Sequence, residues 1–220
     1  MDKDRIFNII KRAQRSEKDL LILEMCTGLS ILDVGCVGQD YDYKNPAWLH
    51  NRIKNVASSI DGVDIDKDGI VKLKESGYSI YLPDELSKSG KKYDVVLMAD
   101  VIEHVNDPVE FLRFYSSFLN DKGKMIITTP NAHGIRNFSS ILIRNNYPLN
   151  PEHTFWLCPR TFLEIIQRAN LEFSSFYWLN EYHKFKDIRG LKNRCVYTFN
   201  LFFTRLRSNF SPNFMIILSK

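Results

Sequence analysis

Short apolar runs bounded by glycine, aspartate or proline alternate along this chain with stretches whose apolar residues recur every three or four positions. Runs of the first kind predict buried strands, and the three-to-four period predicts helices. Strands are therefore expected at 31–34, 60–65, 78–82, 93–98, 124–129, 171–179 and 214–218. Helices are expected between them at 46–57, 67–76, 108–119 and 159–169, the first opened by Pro46 after Asn45. Ahead of the first strand, 4–27 carries Ile6, Phe7, Ile9 and Ile10, then Leu20, Leu21, Leu23 and Met25. That stretch predicts one or two amphipathic helices covering the sheet or the mouth of a site. The alternation of strand and helix predicts an α/β fold built on a parallel, doubly wound sheet. Two stretches break the rhythm, 131–152 and 180–212, and connections of that length usually serve as lids or binding loops.

At 220 residues, with 44% hydrophobic side chains and 15 phenylalanines, the chain can fill the core of one such domain. A net charge of +4 gives no strong electrostatic commitment to nucleic acid. The basic residues do gather late: Lys184, Lys186, Arg189, Lys192, Arg194, Arg205 and Arg207 fall within 24 positions. Cys26, Cys36, Cys158 and Cys195 are widely spaced, form no CxxC pair and follow no signal-peptide pattern. Reduced thiols in the cytoplasm are the expectation. No apolar run approaches the roughly 18 residues a spanning helix needs, which predicts a soluble or at most peripheral protein.

Candidate chemistry concentrates where the first two central strands end. Ser30-Ile-Leu-Asp-Val-Gly-Cys-Val-Gly-Gln39 runs an apolar strand into a glycine turn, and Gly62-Val-Asp-Ile-Asp66 ends the next strand on carboxylates. A turn that admits a ligand to the backbone, with a carboxylate at the neighbouring strand tip for ribose hydroxyls, suits a nucleoside cofactor. Asp64 and Asp66 share a strand face, and Asp64, which directly ends the apolar run, is the preferred ribose acceptor. Asp84 follows the third strand, where the alternative to a ligand role is a helix cap.

These segments resemble motif I and the succeeding strands of the class I S-adenosylmethionine-dependent methyltransferases. Tyr93-Asp-Val-Val-Leu-Met-Ala-Asp-Val-Ile-Glu-His-Val105 is similar to that family's fourth strand and the Glu-His segment after it. Gly123-Lys-Met-Ile-Ile-Thr-Thr-Pro-Asn131 is similar to its fifth strand and closing Thr-Pro-Asn. The likeness runs over about 29–179 and resumes at 214–219. It implies a Rossmann-like seven-stranded mixed sheet whose last strand is antiparallel, with S-adenosyl-L-methionine as cofactor. It also implies cofactor contacts from Asp33, Gly35, Cys36, Gly38, Asp64, Ile65, Asp84, Ala99 and Asp100, with adenine between Ile65 and the Asp84 region. The turn departs from the family's D-x-G-x-G-x-G: Asp33-Val-Gly-Cys-Val-Gly38 lacks one glycine or is one residue shorter, and the run 39–44 delays the next helix. A nicotinamide-binding reading accounts for the glycines and Asp64 but leaves Glu103-His104 and Asp84 unexplained.

Methyl transfer from a sulfonium is a direct displacement that depends on holding donor and acceptor in line. A hydroxyl acceptor must also lose a proton to a base or to a metal that acidifies it. If a helix begins near Asp100, the i, i+3, i+4 spacing puts Asp100, Glu103 and His104 on one face, and His153 follows 49 residues after His104. This arrangement resembles the ubiquinone-pathway O-methyltransferases and the small-RNA 3′-terminal ribose methyltransferases. The resemblance implies a divalent-metal set, Mg²⁺ or Mn²⁺, on Asp100, Glu103, His104 and His153, with His104 and Glu103 as the catalytic pair. Without metal, Glu103 can cap backbone amides while His104 packs or acts as a base. Three readings stay open: O-methylation of a small-molecule or glycan hydroxyl, 2′-O-methylation of RNA ribose, and a non-catalytic nucleoside-binding scaffold. In 192–207, Val196, Phe199, Phe203 and Leu206 recur at helical spacing between basic residues. Such a helix packs on the sheet or on a partner chain, or lies on a membrane surface.

Overall fold

A computed structural model of the chain describes residues 2–38, 42–146, 150–180 and 190–220. Its first half runs α1 (Lys3–Arg12), β1 (Arg15–Glu17), α2 (Lys18–Cys26), β2 (Ser30–Val34), α3 (Leu49–Lys54), β3 (Ser59–Val63), α4 (Lys67–Glu75) and β4 (Ile80–Tyr81). The second half runs α5 (Pro83–Lys88), β5 (Tyr93–Ala99), α6 (Pro108–Ser116), β6 (Leu119–Pro130), α7 (Ile135–Arg144), α8 (Pro159–Arg168), β7 (Glu172–Asn180), α9 (Leu191–Leu206) and β8 (Asn213–Ser219). The strands form one mixed sheet in the order β1-β7-β8-β6-β5-β2-β3-β4. Strands β2 to β6 pair in parallel, and β8 lies antiparallel between β6 and β7.

The sheet is α/β and doubly wound as expected, with its last strand reversed, but it has eight strands rather than seven. The additional strand, β1, sits inside the stretch predicted as one or two amphipathic helices. It pairs in parallel with β7, Arg15 opposite Trp178 and Glu17 opposite Asn180. Three polar residues carry no apolar alternation, so no local pattern marks them; they are extended because β7 offers an open edge. A second difference lies before α3. The Asn45 side chain accepts a hydrogen bond from the Ala47 amide at 2.9 Å, and Trp48 N donates to Asn45 O at 3.0 Å. Asn45-Pro46 therefore makes a turn, and the helix starts at Leu49 instead of Pro46.

Strand alternation sends side chains to two cores. Leu32, Val34, Val96, Met98, Met125 and Ile127 meet α1, α6 and α8 through residues such as Ile10, Leu112 and Phe162. On the opposite face Ile31, Val95, Leu97 and Ile126 meet α2 and α3 through Ile22 and Ile53. Burial on both faces explains why the central strands read as continuous apolar runs. Helix starts follow sequence: Asp66 caps α4 by accepting from Asp68 N and Gly69 N, each at 3.1 Å. Asp107 caps α6 through Val109 N and Glu110 N, each at 3.0 Å, with Pro108 next in line. Among the described residues no helix is long and apolar enough to cross a membrane.

Candidate active site

The carboxyl end of β2 opens into the glycine turn. Gly35 and Gly38 both have positive φ, 74° and 67°. Gly35 N donates to Val63 O at 2.8 Å, which ties the turn to β3. A Cβ on Gly35 would lie 2.7 Å from Val101 Cγ2, so both backbone angle and space require glycine there. Asp33, on the same face of β2 as Ile31, points toward α3 and meets His50, whose Nδ1 donates to Asp33 Oδ2 at 2.8 Å. Both side chains are buried. The His50 ring stacks on Trp48 with centroids 5.0 Å apart, and Trp48 Nε1 donates to Cys36 O at 3.1 Å. Asp33, the turn residues Gly35–Gly38, Trp48, His50 and Ala99 line a cavity of about 270 Å³. Burial and the charge of Asp33 push the Cys36 thiol up, so it stays protonated and serves as apolar wall rather than nucleophile.

Asp64 lies beside this turn at the tip of β3. Its Oδ2 accepts from Val37 N at 2.9 Å, and its Oδ1 from Ile65 N at 2.7 Å and Asp66 N at 3.0 Å. The carboxylate thus braces the turn, whereas Asp66 is committed to capping α4. Ile65 is 83% exposed, an apolar side chain held out beside Asp64. Asp84 is exposed in the first turn of α5. The capping role that competed for it falls to Glu85, which accepts from Leu82 N at 2.9 Å.

Beyond Ala99 the chain turns sharply. Asp100 adopts φ 57°, a left-handed conformation, and Ile102–His104 forms one 3-10 turn rather than the start of a helix. The helical face expected for Asp100, Glu103 and His104 is therefore absent. Asp100 is drawn away: Lys18 Nζ donates to its Oδ2, and Thr128 Oγ1 donates to its Oδ1 at 2.8 Å. Glu103, His104 and His153 do come together, with one ligating atom from each within 4.8 Å of the others, and Asp100 stands outside this set. His153 is delivered by its neighbour Thr154, whose N and Oγ1 donate to Glu103 O at 2.9 and 3.0 Å. The His104 and His153 rings meet edge to face at 4.6 Å.

Glu103 is 1% exposed. Thr129 Oγ1 donates to its Oε2 at 3.0 Å, while the buried Oε1 has no partner. Burial, with the charge of Asp100, pushes its carboxyl up to about 7. Burial and the neighbouring His104 hold His153 below the ordinary histidine value. A carboxylate oxygen left unpaired beside two imidazoles is a set of donors suited to a divalent cation.

Helix α7 lies within the first of the two long connections and α9 within the second, and the helices pack together. Phe138 of α7 and Phe203 of α9 both meet Phe210, at 6.5 and 6.3 Å. Of the apolar stripe predicted for α9, Val196 and Phe203 are half-buried while Phe199 and Leu206 are exposed. Lys184, Lys186 and Arg189 lie outside the described residues. Sequence reasoning did not single out Trp48, His50, Lys18 or Thr128 as parts of the site. Only the burial of Asp33 on the α3 face signals His50, and that needs the sheet.

The family model for a methyltransferase domain matches residues 5–175. The chain is similar to a ubiquinone biosynthesis O-methyltransferase of Azorhizobium caulinodans, 31% identical over 139 residues, covering 60% of this chain and 51% of that protein. It is also similar to the mitochondrial ubiquinone biosynthesis O-methyltransferase of Arabidopsis thaliana, 26% identical over 163 residues, covering 66% of this chain and 47% of that protein. The chain spans about half the length of these two relatives. A crystal structure of a SAM-dependent methyltransferase from Archaeoglobus fulgidus superposes with a TM-score of 0.56 at 19% identity, covering 99% of this chain and 90% of that one. At that identity the superposition speaks for the fold. The chain belongs to the methyltransferase-domain family and has the fold of an S-adenosylmethionine-dependent methyltransferase.

Proposed function

We propose that this chain transfers the methyl group of S-adenosylmethionine to a hydroxyl of a small-molecule or glycan acceptor, assisted by Mg²⁺ or Mn²⁺. The observation that carries the reading is the unpaired Oε1 of buried Glu103 beside His104 and His153. In this reading the donor lies at the glycine turn, with its ribose toward Asp64 and its adenine beside Ile65. Ala99 puts the cavity and the Glu103 cluster at the same end of β5, so donor and acceptor can be neighbours. In the transfer the carbon–sulfur bond breaks as the acceptor oxygen bonds to the methyl carbon, leaving S-adenosylhomocysteine and a proton. Glu103, His104 and His153 act as donors to the cation in this reading, so the released proton passes from the acceptor to solvent. A cation held by Glu103, His104 and His153 would supply acidification of the acceptor hydroxyl. The names of the curated relatives support an O-methyl acceptor.

The stretches 131–152 and 180–212 form the acceptor side in this reading, over a single domain. Phe138, Leu142 and Ile143 of α7 are 49%, 86% and 47% exposed, and Phe199, Phe202 and Leu206 of α9 are 42%, 60% and 56% exposed. Arg194, Arg205 and Arg207 are exposed on or next to α9. An apolar surface with a cationic fringe favours contact with an anionic lipid interface, which suits a lipid-linked acceptor. The test is labelled-methyl transfer to hydroxyl acceptors with Mn²⁺ or EDTA. Transfer that requires Mn²⁺ and is lost in His104→Ala is expected; transfer unchanged by EDTA would remove the metal, and no transfer would remove the enzyme.

A further inference from the structure

We infer that Lys18 is a positioning residue: it holds the Asp100 carboxylate away from Glu103, His104 and His153, so that the cation site has one carboxylate donor instead of two. The inference rests on the cation reading proposed above. Asp100 follows β5 beside the cluster, near enough for its charge to act on both Glu103 and His153. It nevertheless stands outside the set of close donors. Three contacts hold it there. Its N donates to Thr128 O at 3.1 Å, Thr128 Oγ1 donates to its Oδ1 at 2.8 Å, and Lys18 Nζ donates to its Oδ2. Thr128 occupies one oxygen without changing the charge. Lys18 supplies the positive partner that the carboxylate would otherwise find in a cation.

Both partners accept a local cost to make this pair. Among the described residues three besides glycine have positive φ: Asp100, Asn145 and Asn170. Asn145 and Asn170 lie at the ends of α7 and α8, where a left-handed residue is ordinary, whereas Asp100 follows a strand. Lys18 is the first residue of α2, and Glu17 before it makes no side-chain cap. A cation there faces the positive end of the helix dipole, and the Asp100 carboxylate offsets it. Strand β1 fixes where α2 begins, because Glu17 lies opposite Asn180 of β7. The consequence is a site of one carboxylate and two imidazoles. It attracts a dication less than a site with two carboxylates, keeps a position for the acceptor oxygen, and leaves more positive charge to acidify the hydroxyl.

Two metal probes on the full chain test this. Mn²⁺ affinity is read from loss of the free-ion EPR signal, and the visible absorption of bound Co²⁺ reports which groups ligate it. Lys18→Met should tighten Mn²⁺ binding about tenfold or more and shift the Co²⁺ bands, because the released Asp100 becomes a donor. Combining Lys18→Met with Asp100→Asn should restore the Co²⁺ bands and return the Mn²⁺ affinity to within about threefold of the unmodified chain. Unchanged or weaker Mn²⁺ binding in Lys18→Met overturns the inference. So does tighter binding with unmoved Co²⁺ bands, or a gain that survives Asp100→Asn, since the lysine then acts through its charge alone. If Lys18→Met does not fold, Asp100→Asn in the otherwise unmodified chain decides. Its Co²⁺ bands should match those of the unmodified chain, and moved bands overturn the inference because Asp100 is then already a donor. An unmodified chain that binds neither metal overturns the cation reading itself, and this assignment with it.

Discussion

Replacing Glu103 by Gln separates a desolvated acid from an ordinary one. In the folded chain its carboxyl is pushed from 4.5 up to about 7 by burial and by Asp100. Near pH 4.5 and below, the group is largely protonated in folded and unfolded chains alike, and its burial costs little. As pH rises toward 7 the unfolded chain gives up the proton while the folded chain keeps it, so stability falls. Above 7 the folded chain holds a buried carboxylate and the penalty is complete. The interval from 4.5 to about 7, at ~1.4 kcal/mol per pH unit, makes that penalty about 3 kcal/mol. Glutamine keeps an oxygen for the Thr129 hydroxyl and never ionises. Urea denaturation in EDTA should therefore find Glu103→Gln nearly equal to the unmodified chain near pH 4.5 and more stable by about 3 kcal/mol at pH 8. A difference that does not change with pH would refute the reasoning. Adding Mn²⁺ at pH 8 should stabilise the unmodified chain and leave the variant unmoved, because only the carboxylate repays its desolvation on meeting a cation.

Gly35→Ala should lower both melting temperature and S-adenosylhomocysteine affinity. The positive φ costs about 1 kcal/mol, and the new methyl strikes Val101; adding Val101→Ala should recover the steric share, and a lack of recovery in differential scanning would refute it. Trp178, 1% exposed, donates from Nε1 to Ile10 O at 2.9 Å. Trp178→Ala should cost about 3–5 kcal/mol in urea denaturation, and a loss under about 1 kcal/mol would mean α1 is not anchored there. Leu142→Glu with Phe202→Glu should reduce co-sedimentation with vesicles rich in phosphatidylglycerol; equal sedimentation of both proteins would retire the lipid-facing surface.

The physics that selects the residues at these points is local in some cases and distant in others. The central strands were legible because parallel strands covered on both faces must be apolar throughout. The helices at 67–76 and 108–119 were legible from their periodicity, and the structure adds their caps, Asp66 and Asp107, each two or three positions from the amides it satisfies. Glu103-His104 was legible as a unit of sequence, and the family resemblance put His153 with it, but the contacts that arrange the set were not legible. His153 reaches it through Thr154, and Asp100 leaves it because a left-handed residue turns its carboxylate to Lys18 and Thr128.

Sequence alone determined the order of seven of the eight strands and of the helices that join most of them, the glycine turn beside an acidic strand tip, and the presence of an acid and imidazoles beyond the fourth parallel strand. Each of these is written in periodicity or in adjacent residues. The tertiary structure decided the strand β1, the Asp33–His50 pair and the three-residue cluster that omits Asp100. Those depend on which segments the sheet lays side by side, and pairings across 17, 82 or 163 positions leave no trace in any local pattern.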